Sequence, residues 1–380
     1  LNRKIIHMLS TVTKSHMAVA QNASGRSLNV PIYTITSGKP GPNVYIQSSI
    51  HGSEVQGNVV IFHLIQALKR HGINGNITLV PNCNPVGSNI KAGEYTLGRF
   101  DPVNGTNWNR GYYYDEEDVI DFADQVQQSD SIEQIKTRFK AHTLAKIKAK
   151  SSRPWGLGLA QQLNLKLQAM ASQADIVLDL HNGPVSSRHI YIPEFLAQQA
   201  PLFSMPHVIL IPNHFAGALD EASFCPWWTL QTLLIDRFTG NYDFNVEAYT
   251  LEMGSQEVID FADGHHDAQA ILAYLQAKKV INTSQYEPAF IQRVGVYLSD
   301  YKTLFTDFGG MVEYVAKPGE ILKEGDTIAK VLNIDDLDNE HATQIISAPC
   351  DLIPILHFPS ASVLSGTQLY KCFTNYFSIT

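Results

Sequence analysis

The chain has 380 residues, 44% of them apolar, with a formal net charge of −8 and a pI near 5.9. That length supports a sizeable core and two domains, and an acidic balance without an uncompensated basic patch excludes nucleic acid as an expected partner. No stretch approaches the apolar length of a membrane span, and residues 1–21 hold no apolar run long enough for a leader, so no membrane association is expected and the cytoplasm is the expected compartment.

The first strong element is the apolar, β-rich run 43–50. Over 55–71 the apolar residues Val55, Val59, Phe62, Leu64, Ile65 and Leu68 then recur at helical spacing. His51-Gly52-Ser53-Glu54 falls at their junction, which predicts His51 where the strand ends and Glu54 in the first turn of the helix. Glycine between them lets the backbone turn closely, and residues three apart at a helix start can address one ion. A second strand is predicted at 77–82, followed by Asn84-Pro85 and a polar stretch, 99–110, that carries Arg99, Asn107, Asn109 and Arg110.

The segment 112–162 reads as an insertion. It opens on three tyrosines and four acidic residues and then becomes helical, with helices predicted at 131–150 and 157–172 that cover the sheet. The lysines of 136–150 read as a solvated helix face. The buried-type strand 175–181 then ends in Asp179-Leu180-His181 before Asn182-Gly183-Pro184, the end of a strand where open α/β sheets place their ligands. Two histidines and one glutamate leave a zinc coordination position free for water, the catalytic arrangement. His51, Glu54 and His181 are therefore predicted to hold one zinc ion per chain.

Further strand-like runs at 189–193, 207–212 and 248–253 and a helix at 265–281, opened by His265-His266, complete an alternation of elements. This alternation predicts a mixed, largely parallel sheet flanked by helices. The 248–253 strand delivers one carboxylate, Glu252, just before Gly254. Trp227-Trp228 reads as packing. The four cysteines are scattered, with no C-x-x-C pair, and read as reduced core thiols.

From about residue 283 the character changes to short β segments between Gly and Pro turns. Pro318 to Gly325 is echoed 41 residues later by Pro359 to Gly366. The two half-motifs resemble the duplicated halves of a lipoyl/biotinyl-type barrel-sandwich, but the stretch joining them, 333–346, has no lysine to carry a prosthetic group. The expected division is a hydrolase domain over 1–282 and an appended, non-carrier β domain over 283–380 that shapes or gates the pocket or mediates assembly into a homo-oligomer.

Taken in order, these pieces form a set: His51-Gly52-Ser53-Glu54, Asn84-Pro85, Arg99 followed by Asn104-Gly105 and Asn109-Arg110, a strand ending in His181, and Glu252-Met253-Gly254. The set resembles the succinylglutamate desuccinylase/aspartoacylase family, a branch of the zinc carboxypeptidase superfamily. The resemblance implies a zinc carboxypeptidase-like α/β fold with zinc on His51, Glu54 and His181, and with Glu252 as general base and acid. It also implies that Arg99 polarises the scissile carbonyl and that Asn109 with Arg110 holds a substrate carboxylate. One departure is visible: members of the family commonly carry an aspartate where this chain has Asn107, whose neutral oxygen raises the basicity of a zinc-bound histidine less than a carboxylate would.

Elementary chemistry agrees with these roles. Zinc acidifies bound water, a nearby carboxylate can move the proton, and an arginine fork matches a carboxylate. The expected function is a zinc amidohydrolase that cleaves the linear amide C–N bond of a small anionic N-acylated amino acid. A carboxypeptidase acting on peptide C-termini would use the same groups, but an appended β domain would restrict entry to small substrates. A metal-binding or interaction protein without turnover would need neither Glu252 nor Arg99.

Overall fold

The structure is a computed structural model that describes residues 10–379. The expectation of no leader concerns residues 1–21, of which 1–9 lie outside the described residues. Contacts group the chain into two compact units that are discontinuous in sequence. The first comprises residues up to His181 with Asn213–Thr250 and Ile259–Pro288, and the second comprises Asn182–Pro212, Leu251–Val258 and Ala289–Thr380. The division is discontinuous because two strands, Ile176–Gly183 and Glu247–Ser255, each begin in the first unit and end in the second.

In the first unit, β1 (Val12–Gln21) and β2 (Ser27–Thr36) form an antiparallel hairpin. β3 (Asn43–Ser48) follows, then α1 (Gln56–Leu68) and β4 (Asn76–Val80). β2 pairs antiparallel with β4, β4 parallel with β3, and β3 parallel with Ile176–Gly183. Every residue of Ile176–Gly183 is buried, and so are five of six in β3. Buried residues therefore do not alternate with exposed ones along these strands, because a parallel sheet is covered on both faces, and the polar residues they carry, Gln47 and Asp179 among them, are buried as well. α1 supplies part of that cover by burying Val59, Val60, Ile61, Leu64, Ile65 and Leu68.

The insertion is helical cover, as its sequence suggests. It contains α2 (Glu116–Ala123) and all of α3 (Ile132–Ser151), and α4 (Leu159–Ala171) begins at its end. α3 starts on a capping box in which Ser131 Oγ and the Gln134 side chain satisfy each other's backbone N–H groups. The sequence reading misses α5 (Leu219–Arg237), because Pro226 stands inside it and reads as a breaker. Trp227 of α5 packs with Val119, Phe122, Phe139 and Phe244 in one buried cluster, the packing role expected of it. α6 (Phe261–Ala277) begins four residues before the predicted start. Asp260 caps it by accepting from the Asp263 N–H, so His265 and His266 lie inside the helix and do not open it.

In the second unit, His189–Pro193 and His207–Ile211 pair parallel, and His207–Ile211 pairs parallel with Arg293–Tyr297. Two four-stranded antiparallel sheets follow, with a shared core that includes Val312, Ile328, Val331, Leu369 and Tyr370. The internal repeat has a structural counterpart here. Gly325 and Gly366 both take positive φ, 89° and 79°, and each is followed two residues on by a six-residue strand, Thr327–Leu332 and Gln368–Phe373. The four cysteines are free. Among the described residues no helix is long and apolar enough to cross a membrane.

Candidate metal centre

The site begins at the end of β3. Ser49 takes positive φ (63°), and its hydroxyl donates to the Glu54 carbonyl at 2.7 Å while accepting from Asn58 Nδ2 at 2.8 Å. This fastens a tight loop between strand and helix. Gly52 is required by a close approach, because a Cβ there would lie 2.1 Å from the Gly87 carbonyl oxygen. Its N–H donates to the Gly98 carbonyl at 2.8 Å, so the loop carrying His51 is joined to the residue preceding Arg99. Glu54 is not in the first turn of α1, as the sequence suggests. The helix starts at Gln56 with Val55 as its N-cap, and Glu54 belongs to the loop, its N–H bonded to the His51 carbonyl.

His181 arrives on Ile176–Gly183, which lies beside β3 in parallel register. His51, Glu54 and His181 are all buried, and they form the one group of potential metal ligands among the described residues. Their ligand atoms lie within 4.8 Å of one another. Glu54 stands between the two rings, with Oε1 2.8 Å from His51 Nδ1 and Oε2 2.8 Å from His181 Nδ1.

The far ring nitrogens have partners of their own. Asn107 Oδ1 lies 2.8 Å from His51 Nε2 and also accepts from the Asn109 N–H at 2.9 Å. An amide oxygen can only accept, so it holds the hydrogen of His51 on Nε2 and leaves Nδ1 as the ligand atom. His181 Nε2 lies 2.9 Å from Asp179 Oδ2, which favours the same tautomer. Outward-facing N–H groups on acceptors and inward-facing lone pairs beside a carboxylate are the donor set of a divalent transition-metal site, so the residues present fit zinc.

The electrostatics point the same way. Burial alone would raise the Glu54 carboxyl, but the two imidazoles outweigh it and hold the group well below the usual carboxylate range. Burial pushes the His51 imidazole down. For His181 burial acts in the same sense, yet Asp179 and Glu54 on either side overcome it and raise the ring well above its ordinary value. Two buried carboxylates around these rings favour a positive charge in their midst.

Arg99 is half exposed and places Nη1 3.0 Å from Glu54 Oε1. Asn109 is buried, with Nδ2 3.4 Å from His181 Nε2 and Oδ1 3.4 Å from the Leu219 N–H. Arg110 is exposed and folds back to donate from Nη1 to the Asn109 carbonyl at 2.6 Å. The structure thus gathers His51, Glu54, His181, Arg99, Asn107 and Asn109. Glu252 belongs to the second unit, in the later part of Glu247–Ser255.

Residues 40–278 match the profile of the succinylglutamate desuccinylase/aspartoacylase catalytic domain. The chain belongs to this family. Two solved structures from Shewanella are similar to it over nearly their whole length. One, from Shewanella frigidimarina NCIMB 400, is provisionally described as a succinylglutamate desuccinylase/aspartoacylase; it is 43% identical, with 98% of this chain and 99% of that one covered and a TM-score of 0.94. A family protein of Shewanella amazonensis SB2B is 41% identical, covering 97% and 100%, with a TM-score of 0.92. The fold extends to the product-bound ectoine utilization protein EutE (DoeB) of Ruegeria pomeroyi, at 15% identity, 98% and 100% coverage and a TM-score of 0.64. No curated protein matches the chain. Membership makes the chain a desuccinylase/aspartoacylase-type hydrolase, and the His51–Glu54–His181 group can bind a metal ion.

Sequence reasoning overlooked Gln47 and assigned no role to Asp179. The two are register partners on adjacent strands, and Gln47 Nε2 donates to Asp179 Oδ1 at 3.0 Å. Only the strand register reveals that a residue four positions before His51 supports one two positions before His181.

Proposed function

We propose that the chain is a zinc-dependent amidohydrolase that removes an acyl group from a small, anionic N-acylated amino acid, giving a carboxylate and a free amine. The observation that carries the reading is the convergence of two imidazole Nδ1 atoms on the two oxygens of Glu54, within a catalytic domain of this family. When held by His51, Glu54 and His181, zinc lowers the pKa of bound water toward neutrality and polarises a carbonyl.

The chain's own residues do the rest. Glu252 takes a proton from the attacking water on a carboxylate oxygen and returns it to the nitrogen of the leaving amine. Arg99 is anchored on Glu54 and half exposed, and it offers its remaining N–H groups to the carbonyl oxygen as negative charge develops there. Asn109 and Arg110 hold the substrate carboxylate, with the exposed guanidinium supplying the charge-assisted bond. The β segments from residue 283 onward, with their paired half-motifs, are a lipoyl-like, non-carrier domain.

The test is amine release from a panel of N-succinyl, N-acetyl and related amino acids, measured with added zinc and after chelation. Turnover of at least one anionic N-acyl amino acid, lost on chelation and restored by zinc, is expected. Cleavage of peptide C-termini in preference to all of them would overturn the substrate class.

A further inference from the structure

Behind His181 stands a chain of buried polar groups that no other part of the proposed mechanism uses. Tyr45, Gln47 and Asp179 are each almost completely buried. The Tyr45 hydroxyl donates to Gln47 Oε1 at 2.9 Å, Gln47 Nε2 donates to Asp179 Oδ1 at 3.0 Å, and Asp179 Oδ2 lies 2.9 Å from His181 Nε2. The order of donors is fixed by chemistry. A carboxylate only accepts, so the amide of Gln47 must turn its NH₂ toward Asp179 and its oxygen toward the tyrosine. Asp179 Oδ2 accepts from no group along a hydrogen-bond axis, and its contact with the ring meets the distance of such a bond without its alignment. A buried anionic oxygen in that state is costly unless a positive or polarised N–H stands beside it, and the His181 ring supplies one.

The corresponding acceptor behind His51 is the amide oxygen of Asn107. The two ring ligands are therefore supported unequally, one by a neutral oxygen and the other by a carboxylate.

We infer that Asp179, held in place by Gln47 and Tyr45, is the positioning residue that fixes His181 as a metal ligand and carries the negative charge that Asn107 does not provide behind His51. The inference rests on the reading of His51, Glu54 and His181 as a zinc site. Asp179 acts through His181, by keeping the ring hydrogen on Nε2 and making Nδ1 a stronger donor. Gln47 acts one step further back, by preventing the carboxylate from turning away from the ring. Because Gln47 and Asp179 are register partners on β3 and Ile176–Gly183, the support is built into the sheet rather than into a loop.

The experiment is a zinc titration of the metal-stripped full-length protein against a chromophoric chelator, with folding checked by circular dichroism. Asp179→Asn keeps the shape of the side chain and removes its charge, and is expected to weaken zinc binding about 10- to 100-fold, the scale for loss of an outer partner of a metal-bound histidine. Gln47→Met should weaken it about tenfold and Tyr45→Phe about threefold, in the order of distance from the ring. Adding Asn107→Asp to Asp179→Asn should recover most of the loss, because a carboxylate is returned to the ligand pair; a role in packing alone would not be rescued in this way. Folded Asp179→Asn and Gln47→Met variants with affinities within twofold of the parent overturn the inference. If Asp179→Asn does not fold, Tyr45→Phe decides, and unchanged affinity there overturns it. A parent protein that takes up no zinc overturns the metal-site reading itself, an outcome distinct from a parent that binds zinc and variants that match it.

Discussion

The rings of His51 and His181 meet edge to face, with centroids 5.3 Å apart and planes at 71°. One comes from the loop after β3 and the other from the strand Ile176–Gly183, yet each turns its Nδ1 to Glu54. Two imidazole nitrogens and a carboxylate drawn together in a buried site are a ligand set that a divalent metal ion can satisfy. Metal-stripped protein should therefore take up one zinc per chain by elemental analysis. Free zinc at a hundred times its dissociation constant should stabilise it by about 2.7 kcal/mol in a melting experiment. His51→Ala and Glu54→Gln should lose both the stoichiometric zinc and the stabilisation; full occupancy in either would remove that residue from the ligand set.

Glu252→Gln should retain zinc and lose at least about a hundredfold in kcat, the usual scale for a general base. The two measurements separate proton transfer from ligation. A variant that loses zinc instead would make Glu252 a ligand.

Arg110→Ala should raise KM for the free-acid substrate about 10- to 100-fold, the equivalent of 1.5–3 kcal/mol for a charge-assisted contact. Masking the substrate carboxylate as a methyl ester should cost the parent enzyme a similar factor and the variant little more, because both changes remove one interaction. Equal KM values for free and masked substrates in the parent would place the anchor elsewhere.

Asp175 gives a prediction about acid stability. Its Oδ1 meets Lys140 at 2.6 Å and Lys136 at 2.8 Å, and its Oδ2 accepts from the Asn43 N–H at 2.7 Å. Burial would raise its carboxyl, but the two lysines outweigh it and depress the group. A depressed carboxylate stabilises the fold above its unfolded pKa, about 3.9, and the contribution fades as pH falls through the lower folded value. Asp175→Asn should thus cost about 3 kcal/mol near pH 7, the scale for breaking a buried pair. The gap between variant and parent in denaturant unfolding should narrow progressively below pH 4. A gap that stays constant into acid would assign the loss to packing instead.

Much of this was legible in the sequence for physical reasons. Fully buried parallel strands such as β3 and Ile176–Gly183 carry short apolar runs, and the polar residues in and just after their C-terminal parts stand out against them, so His51, Glu54 and His181, the group that can bind a metal ion, could be picked out together without coordinates. What escaped notice depended on pairing or on a broken local rule. α5 contains a proline at a position that forbids a normal hydrogen bond, which the buried packing of Trp227 and its neighbours outweighs. The partnership of Gln47 with Asp179 is a matter of register between strands 132 positions apart, and no local pattern encodes register. Glu54 fell just outside its helix because the Ser49 turn takes up the residues that periodicity assigned to the first turn.

The three glycines around the His51 loop bear on how this site could be redesigned. Gly52 bonds to Gly98, and a Cβ on either Gly52 or Gly98 would strike the carbonyl of Gly87, at 2.1 and 2.0 Å. The segments bearing His51, Asn84-Pro85 and Arg99 are thus keyed together through close backbone contacts, and the buried Asn84 side chain adds a bond to the Ile50 carbonyl at 2.8 Å. An engineer who transplants the His51–Glu54 loop into another scaffold, or recombines this chain with a distant relative at a crossover between residues 54 and 98, would inherit a lock without its matching wards. The three segments have to be exchanged as one block.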